Sequence, residues 1–213
     1  MRKHATSTVM QFEKVVYMDG SVVEMKLHPL AHEYLFKYYA VLRRIFSNVL
    51  GQLETDYVSI GLVDSAGQLF FLSSKPSIEQ NLIEKNLLKY DGSFRPDFVY
   101  QNKPSSWTDL YSSEHKKILY QYKQAGPGLE SGISIPTDFG KYRVVFSFGF
   151  KSISILMQRQ ITNQSEKLLA IGKYCLREIT TTVPLPKQHE ICKFKPHLKL
   201  IINNQVNDEN TIG

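Results

Sequence analysis

Residues 142 to 150 read Tyr-Arg-Val-Val-Phe-Ser-Phe-Gly-Phe, and their side chains sort with a period of two. Val144, Phe146, Phe148 and Phe150 share one face, while Val145, Ser147 and Gly149 share the other. One face is bulky and the other small, a pattern that fits a sheet covered on both sides. The same period recurs at 57–63, where Val58, Ile60 and Leu62 alternate with Tyr57, Ser59 and Gly61. Asp64-Ser65-Ala66-Gly67 reads as a turn there, with a return strand over 68–73. Residues 132–136 form a further strand, turned at 138–141 into the strand at 142–150. Residues 151–157 are expected to extend or pair with it. Residues 21–27 are expected to add a short strand or an arm.

Between these strands the period changes to that of a helix. A helix is expected over 30–53, with Leu35, Tyr38, Leu42, Ile45, Phe46 and Val49 on its apolar face. A second is expected to start near Pro76-Ser77, with Ser77 and Gln80 as a capping box, and to stop before Asp91-Gly92. A third runs through Ile118, Leu119 and Tyr122 to the stop at Ala125-Gly126-Pro127-Gly128. The last covers 163–180, burying Leu168, Ile171, Gly172, Cys175, Leu176 and Ile179. The order predicts an α/β chain: a three-layer α-β-α sandwich around a mainly antiparallel sheet of about five strands. The expected division is an arm at 1–27, a domain at 28–182 and a loosely ordered tail at 183–213.

Composition narrows the function classes. The chain has 213 residues with a formal charge of +6, and no Lys/Arg run exceeds two. That is a solvated surface rather than a nucleic-acid footprint, so specific DNA binding by this chain is not expected. No apolar run approaches the length of a membrane span, and the N-terminus lacks the apolar core of a signal peptide. The expected location is the cytoplasm. Two cysteines, Cys175 and Cys192, exclude a disulfide scaffold. Twelve Tyr and twelve Phe can fill a core or wall a cavity for an apolar ligand. No phosphate-binding glycine loop, zinc motif or nucleophile elbow is present, so neither an enzyme, a cofactor nor a metal site is expected. His28 and His32 lack a third ligand. His189, Cys192 and His197 lack a fourth and are read as chance.

The segment 90–136 carries a more specific pattern. It holds Asp91, then Trp107 sixteen positions on, a helix, and Gly128-Leu129 with Gly132-Ile133-Ser134-Ile135-Pro136. This resembles the autoinducer-binding domain of LuxR-type quorum-sensing regulators, whose PAS/GAF-like order of elements also matches residues 30–180. The resemblance implies an acyl-homoserine lactone or another small apolar ligand held between the sheet and one helix layer. Asp91 would accept the ligand's amide N–H, and the Trp107 indole would donate to its carbonyl. Ser147 is the candidate second donor. Tyr57 and Ser59 are candidates for the wall, and Tyr90 and Tyr111 complete the candidate set. The plainer reading makes Asp91 a turn residue, Trp107 a core residue and the tyrosines packing residues.

The chain departs from the family in two places. No aromatic lies between Lys75 and Leu88, where the family places lactone-side aromatics; Ile78 and Leu82 stand near those positions. The 31 residues from 183 onward are also too few for a helix-turn-helix domain, which needs roughly 50. Two functions are therefore expected. One is a sensor that modulates a regulator as a homo- or heterodimer. The other is a scaffold or secreted effector that kept the fold and lost the ligand.

Overall fold

The computed structural model describes residues 11–16, 22–152 and 155–186. The tail motif at His189, Cys192 and His197, and most of the expected tail, lie outside these residues. Among the described residues seven strands form one sheet: β1 (Gln11–Val16), β2 (Val22–Leu27), β3 (Tyr57–Val63), β4 (Gln68–Ser73), β5 (Ser105–Ser106), β6 (Ser131–Phe139) and β7 (Tyr142–Phe150), in the order β1-β2-β4-β3-β7-β6-β5. All pairings are antiparallel except β2 with β4. The strands beyond the expected five include β1, in a stretch without alternation, and the two-residue β5.

Alternation sorted the strand residues onto the faces they occupy. Val58, Ile60, Leu62, Phe70, Leu72, Ile133, Ile135, Val144, Phe146, Phe148 and Phe150 pack in one cluster. That cluster is closed by helices α1 (Ala31–Lys37), α2 (Tyr39–Ser47) and α7 (Ile155–Thr182). On α7, Leu168, Cys175, Leu176 and Ile179 are buried as the stripe predicts, while Ile171 is half-buried. Gly172 lets the helix approach the sheet: a Cβ there would lie 2.6 Å from the Phe146 ring.

The opposite face is covered by α3 (Pro76–Glu84), α4 (Pro96–Val99), α5 (Trp107–Leu110), α6 (Lys116–Tyr120) and the π-turn Gln121–Ala125, with 3-10 turns at Leu88–Tyr90 and Gly92–Phe94. Sheet and two helical layers make the three-layer sandwich. Gly67 shows why the β3–β4 turn is where it is. Its φ of 74° suits glycine, and a Cβ there would meet the Glu24 carbonyl oxygen of β2 at 2.4 Å.

Local boundaries differ from expectation at several places, among them the end of α3, at Glu84 rather than just before Asp91. The helix over 30–53 is two helices, broken at Tyr38 (φ −109°, ψ 15°), where no Pro or Gly marks the break. Helix α3 takes Pro76 as its first residue, so Ser77 lies inside it and caps nothing. The third helix passes into the π-turn after Tyr120. Residues from Ile155 belong to α7 rather than to an extension of β7, although Ile153-Ser154-Ile155 alternates like a strand.

Candidate functional site

The small face of the sheet is the floor of the site. Strand register sets Ser73 beside Ser59, Ser59 beside Ser147, and Ser147 beside Ser134, so four hydroxyl-bearing residues cross four strands in a row. The neighbouring positions Gly132 and Gly149 admit the indole of Trp107. A Cβ on Gly132 would stand 2.2 Å from the indole Cδ2, and one on Gly149 would stand 3.0 Å from the ring edge. Trp107 begins α5, whose N-cap Ser106 accepts from the Asp109 N–H, and the side chain is wholly buried. Its indole N–H donates to Ser134 Oγ at 3.0 Å. Ser134 in turn donates to Ser93 Oγ at 3.1 Å and shares a hydrogen bond of 2.9 Å with Ser147.

Asp91 sits between the two 3-10 turns and is fully buried. It takes the turn role read for it, and its second oxygen has a partner inside the chain. Its Oδ1 accepts from the Ser93 N–H at 3.0 Å, capping the second turn, while Oδ2 faces the interior. There it accepts from Lys123 Nζ at 2.5 Å. The same ammonium donates to Ser93 Oγ at 3.2 Å and stands 4.4 Å from the centre of the Trp107 ring. Tyr111 and Phe94 complete the aromatic wall, their ring centres 5.7 and 5.8 Å from Nζ. Lys123 is 2% exposed. Burial pushes its pKa below 10.5, and Asp91 opposes that shift.

A second buried acid lies beside the first. Tyr57 stands edge-on to Trp107 at 5.8 Å, and its hydroxyl donates to Glu79 on α3. Burial holds the Glu79 carboxyl above its usual range, against the opposing effect of the Ser59, Tyr57 and Ser73 hydroxyls. It also holds the Tyr57 phenol well above 10, with the Glu79 charge adding to the rise. Tyr111 donates to Gln124 Oε1 at 2.8 Å, and Gln124 donates to the Glu130 carbonyl at 3.0 Å.

Six of the seven expected site residues thus gather on one side of the sheet: Asp91, Trp107, Ser147, Tyr57, Ser59 and Tyr111 are all buried there. Tyr90 is set at the rim, half-buried, with its ring stacked on His115 at 3.5 Å. Sequence reasoning missed Ser93, Ser134, Glu79, Lys123 and Gln124. Ser134 could have been found, since it alternates with Ile133 and Ile135 inside the quoted strand. Lys123 and Gln124 carry no such signal. On an ordinary helix two adjacent polar residues point about 100° apart, and only the π-turn turns both inward. Chemically the cluster offers hydroxyls, two carboxyls and an ammonium within an apolar wall. Among the described residues no group of three His, Cys, Asp or Glu side chains could hold a metal ion.

No family model and no curated protein sequence matches the chain. Solved structures do. Escherichia coli SdiA aligns over 70% of this chain and 66% of its own, at 16% identity and a TM-score of 0.51. SdiA in complex with octanoyl-rac-glycerol aligns over 71% and 65%, at 19% identity and a TM-score of 0.52. CepR2 of Burkholderia cenocepacia, an N-acylhomoserine-lactone-dependent LuxR-family transcription factor, aligns over 72% and 94%, at 13% identity and a TM-score of 0.45. The chain spans about two thirds of the length of SdiA. At these identities the likeness is one of architecture: the chain shares the fold of the ligand-binding domain of SdiA, a LuxR-type receptor.

Proposed function

We propose that the chain is a non-enzymatic regulatory domain that senses a small apolar ligand and acts on a regulator by dimerisation rather than by binding DNA itself. The observation that carries this reading is the convergence of Asp91 and Trp107 on one buried polar cluster above the serine row. A carboxylate, an indole and hydroxyls set in an aromatic wall can fix a polar head, while the wall buries an acyl tail. SdiA, which shares the fold, has been solved with octanoyl-rac-glycerol. The sensing unit is residues 28–182, with the segments 1–27 and 183–213 flanking it, and it works in the cytoplasm. No helix among the described residues is long and apolar enough to cross a membrane. Exposed Tyr39 and Tyr174, on α2 and α7, and Leu50 just beyond α2 support those helices as the dimer surface.

A thermal-shift panel of N-acyl-homoserine lactones and monoacylglycerols tests the reading, because a ligand that binds only the folded state raises the melting temperature. Stabilisation by at least one acyl compound is expected. One observation favours a second reading, a scaffold or effector that kept the fold and lost the ligand: Asp91 and Trp107 already have partners within the chain. A flat panel, together with capture of a partner protein, moves that reading to first place.

A further inference from the structure

We propose that Lys123 is an intramolecular occupant of this site, a primary ammonium that the chain supplies to itself where a ligand's polar head would sit. This assignment rests on the reading of Asp91 and Trp107 as a ligand site. Three directions from Nζ are used: Asp91 Oδ2 at 2.5 Å, Ser93 Oγ at 3.2 Å and the face of Trp107 at 4.4 Å. That is the full donor capacity of an ammonium, counting the ring face as an acceptor. The hydrogen-bonding groups of the two anchor residues are met from inside: Asp91 by Ser93 N–H and Lys123, Trp107 by Ser134.

Stability alone does not account for such a pair. A buried ion pair is commonly no better than well-packed apolar residues of the same volume. The chain also departs from helical geometry to install it, since the π-turn Gln121–Ala125 sends both Lys123 and Gln124 inward. That turn packs against α3, and a groove of about 400 Å³ lies along the seam, lined by Lys75, Ile78, Asn81, Gln121, Tyr122 and Pro127 among others. It lies on the same segment that carries Lys123 inward. The site is therefore held in its filled arrangement without a small molecule. An acyl ligand enters only by displacing the Lys123 side chain.

Lys123→Ala removes the atoms of a propylammonium ion, so that ion can be returned from solution. The test measures the melting temperature of the full chain, wild type and Lys123→Ala, in propylammonium chloride, tetramethylammonium chloride and 1-propanol at equal concentration. Octanoyl-rac-glycerol is titrated into both proteins by calorimetry. Propylammonium is expected to raise the melting temperature of the variant by several degrees and to leave the wild type unmoved. Tetramethylammonium, which has no N–H, and propanol, which has no charge, should do neither. The acylglycerol is expected to bind the variant at least tenfold more tightly than the wild type. Should Lys123→Ala fail to fold alone, recovery of soluble, cooperatively folded protein on refolding with propylammonium, and not with the two controls, is the same result. Selective rescue with acylglycerol binding to neither protein upholds Lys123 as occupant and removes the small-molecule reading instead. Absence of selective rescue, or acylglycerol binding as tight to the wild type as to the variant, overturns the proposal.

Discussion

Asp91→Asn takes the counter-charge from a buried lysine. Lys123 is 2% exposed, and the Asn oxygen that replaces Oδ2 offers it a dipole instead of a charge. The folded variant must either hold an unpaired ammonium, which costs about 3–5 kcal/mol, or release the proton. Release sets an upper limit that depends on pH. From an ordinary pKa of 10.5, deprotonation at pH 7 spans three and a half units at about 1.4 kcal/mol each, about 5 kcal/mol. At pH 9 the same step costs about 2 kcal/mol. In the variant the unfolded chain keeps the proton and the folded chain loses it, so stability rises with pH. The difference from wild type should shrink from about 3–5 kcal/mol at pH 7 to about 2 kcal/mol at pH 9. Urea titrations at the two pH values measure it, with unchanged m-values as the check on two-state unfolding. A loss that size approaches the whole stability of a domain, so the double variant Asp91→Asn/Lys123→Met is made alongside. It carries neither charge and should come within about 2 kcal/mol of wild type. A deficit equal at both pH values, or a double variant no better than Asp91→Asn, would show that Lys123 is not held as an ion by Asp91.

Three further outcomes follow from the same cluster and its surroundings. Glu79→Gln should gain on wild type as pH rises above 4.5, because a carboxyl whose folded pKa is raised stabilises the fold while protonated and loses that contribution through its folded value. Melting curves from pH 4 to 8 read this as a slope of up to about 1.4 kcal/mol per unit in the wild type that the variant lacks. Gly132→Ala drives a methyl to 2.2 Å from the indole and should cost on the order of 1–3 kcal/mol, with a shift in the emission of the chain's sole tryptophan; unchanged emission would place Trp107 elsewhere. Gly172→Ala would ordinarily stabilise a helix interior by about 0.5–1 kcal/mol, yet the added methyl would lie 2.6 Å from Phe146, so a lower melting temperature is expected.

Much of this architecture is written in the alternation of the strands. Val144, Phe146 and Phe148 had to go to one layer once Ser147 and Gly149 were read on the other, and the register then carried Ser59 to Ser147. The Asp91 and Trp107 pair was legible through its resemblance to a known frame, and the two residues stand in one buried cluster. Lys123 was not legible, because on a regular helix its neighbours would mark it as solvent-facing. A π-turn changes the angular count by one residue, and nothing in Gln121 to Ala125 announces it. Glu79 was hidden for a related reason. Glutamate in a first helical turn is ordinarily a solvated partner of the helix dipole, and only the tertiary approach of Tyr57 makes it a buried acid. The break at Tyr38 has no local signal either: neither Pro nor Gly stands there, and Tyr34 and Tyr38 keep the ring contact, 5.5 Å, of residues four apart on one helix face.

The parallel join between β2 and β4 sets an order of assembly. β3 with β4, and β6 with β7, are close in sequence and can pair early. β2 meets β4 through only two residue pairs, Lys26 with Gln68 and Leu27 with Leu69, about forty residues apart, with bonds from Lys26 N–H to the Gly67 carbonyl and from His28 N–H to the Leu69 carbonyl. Closing a loop of that length for so few bonds comes late, after β4 has found its place and offers a formed edge. The amides of Lys26 and His28 then report the last step of folding and the first of unfolding. They should exchange with solvent long before those of β3 and β7, whose ladders to their neighbours run over five to nine residue pairs instead of two.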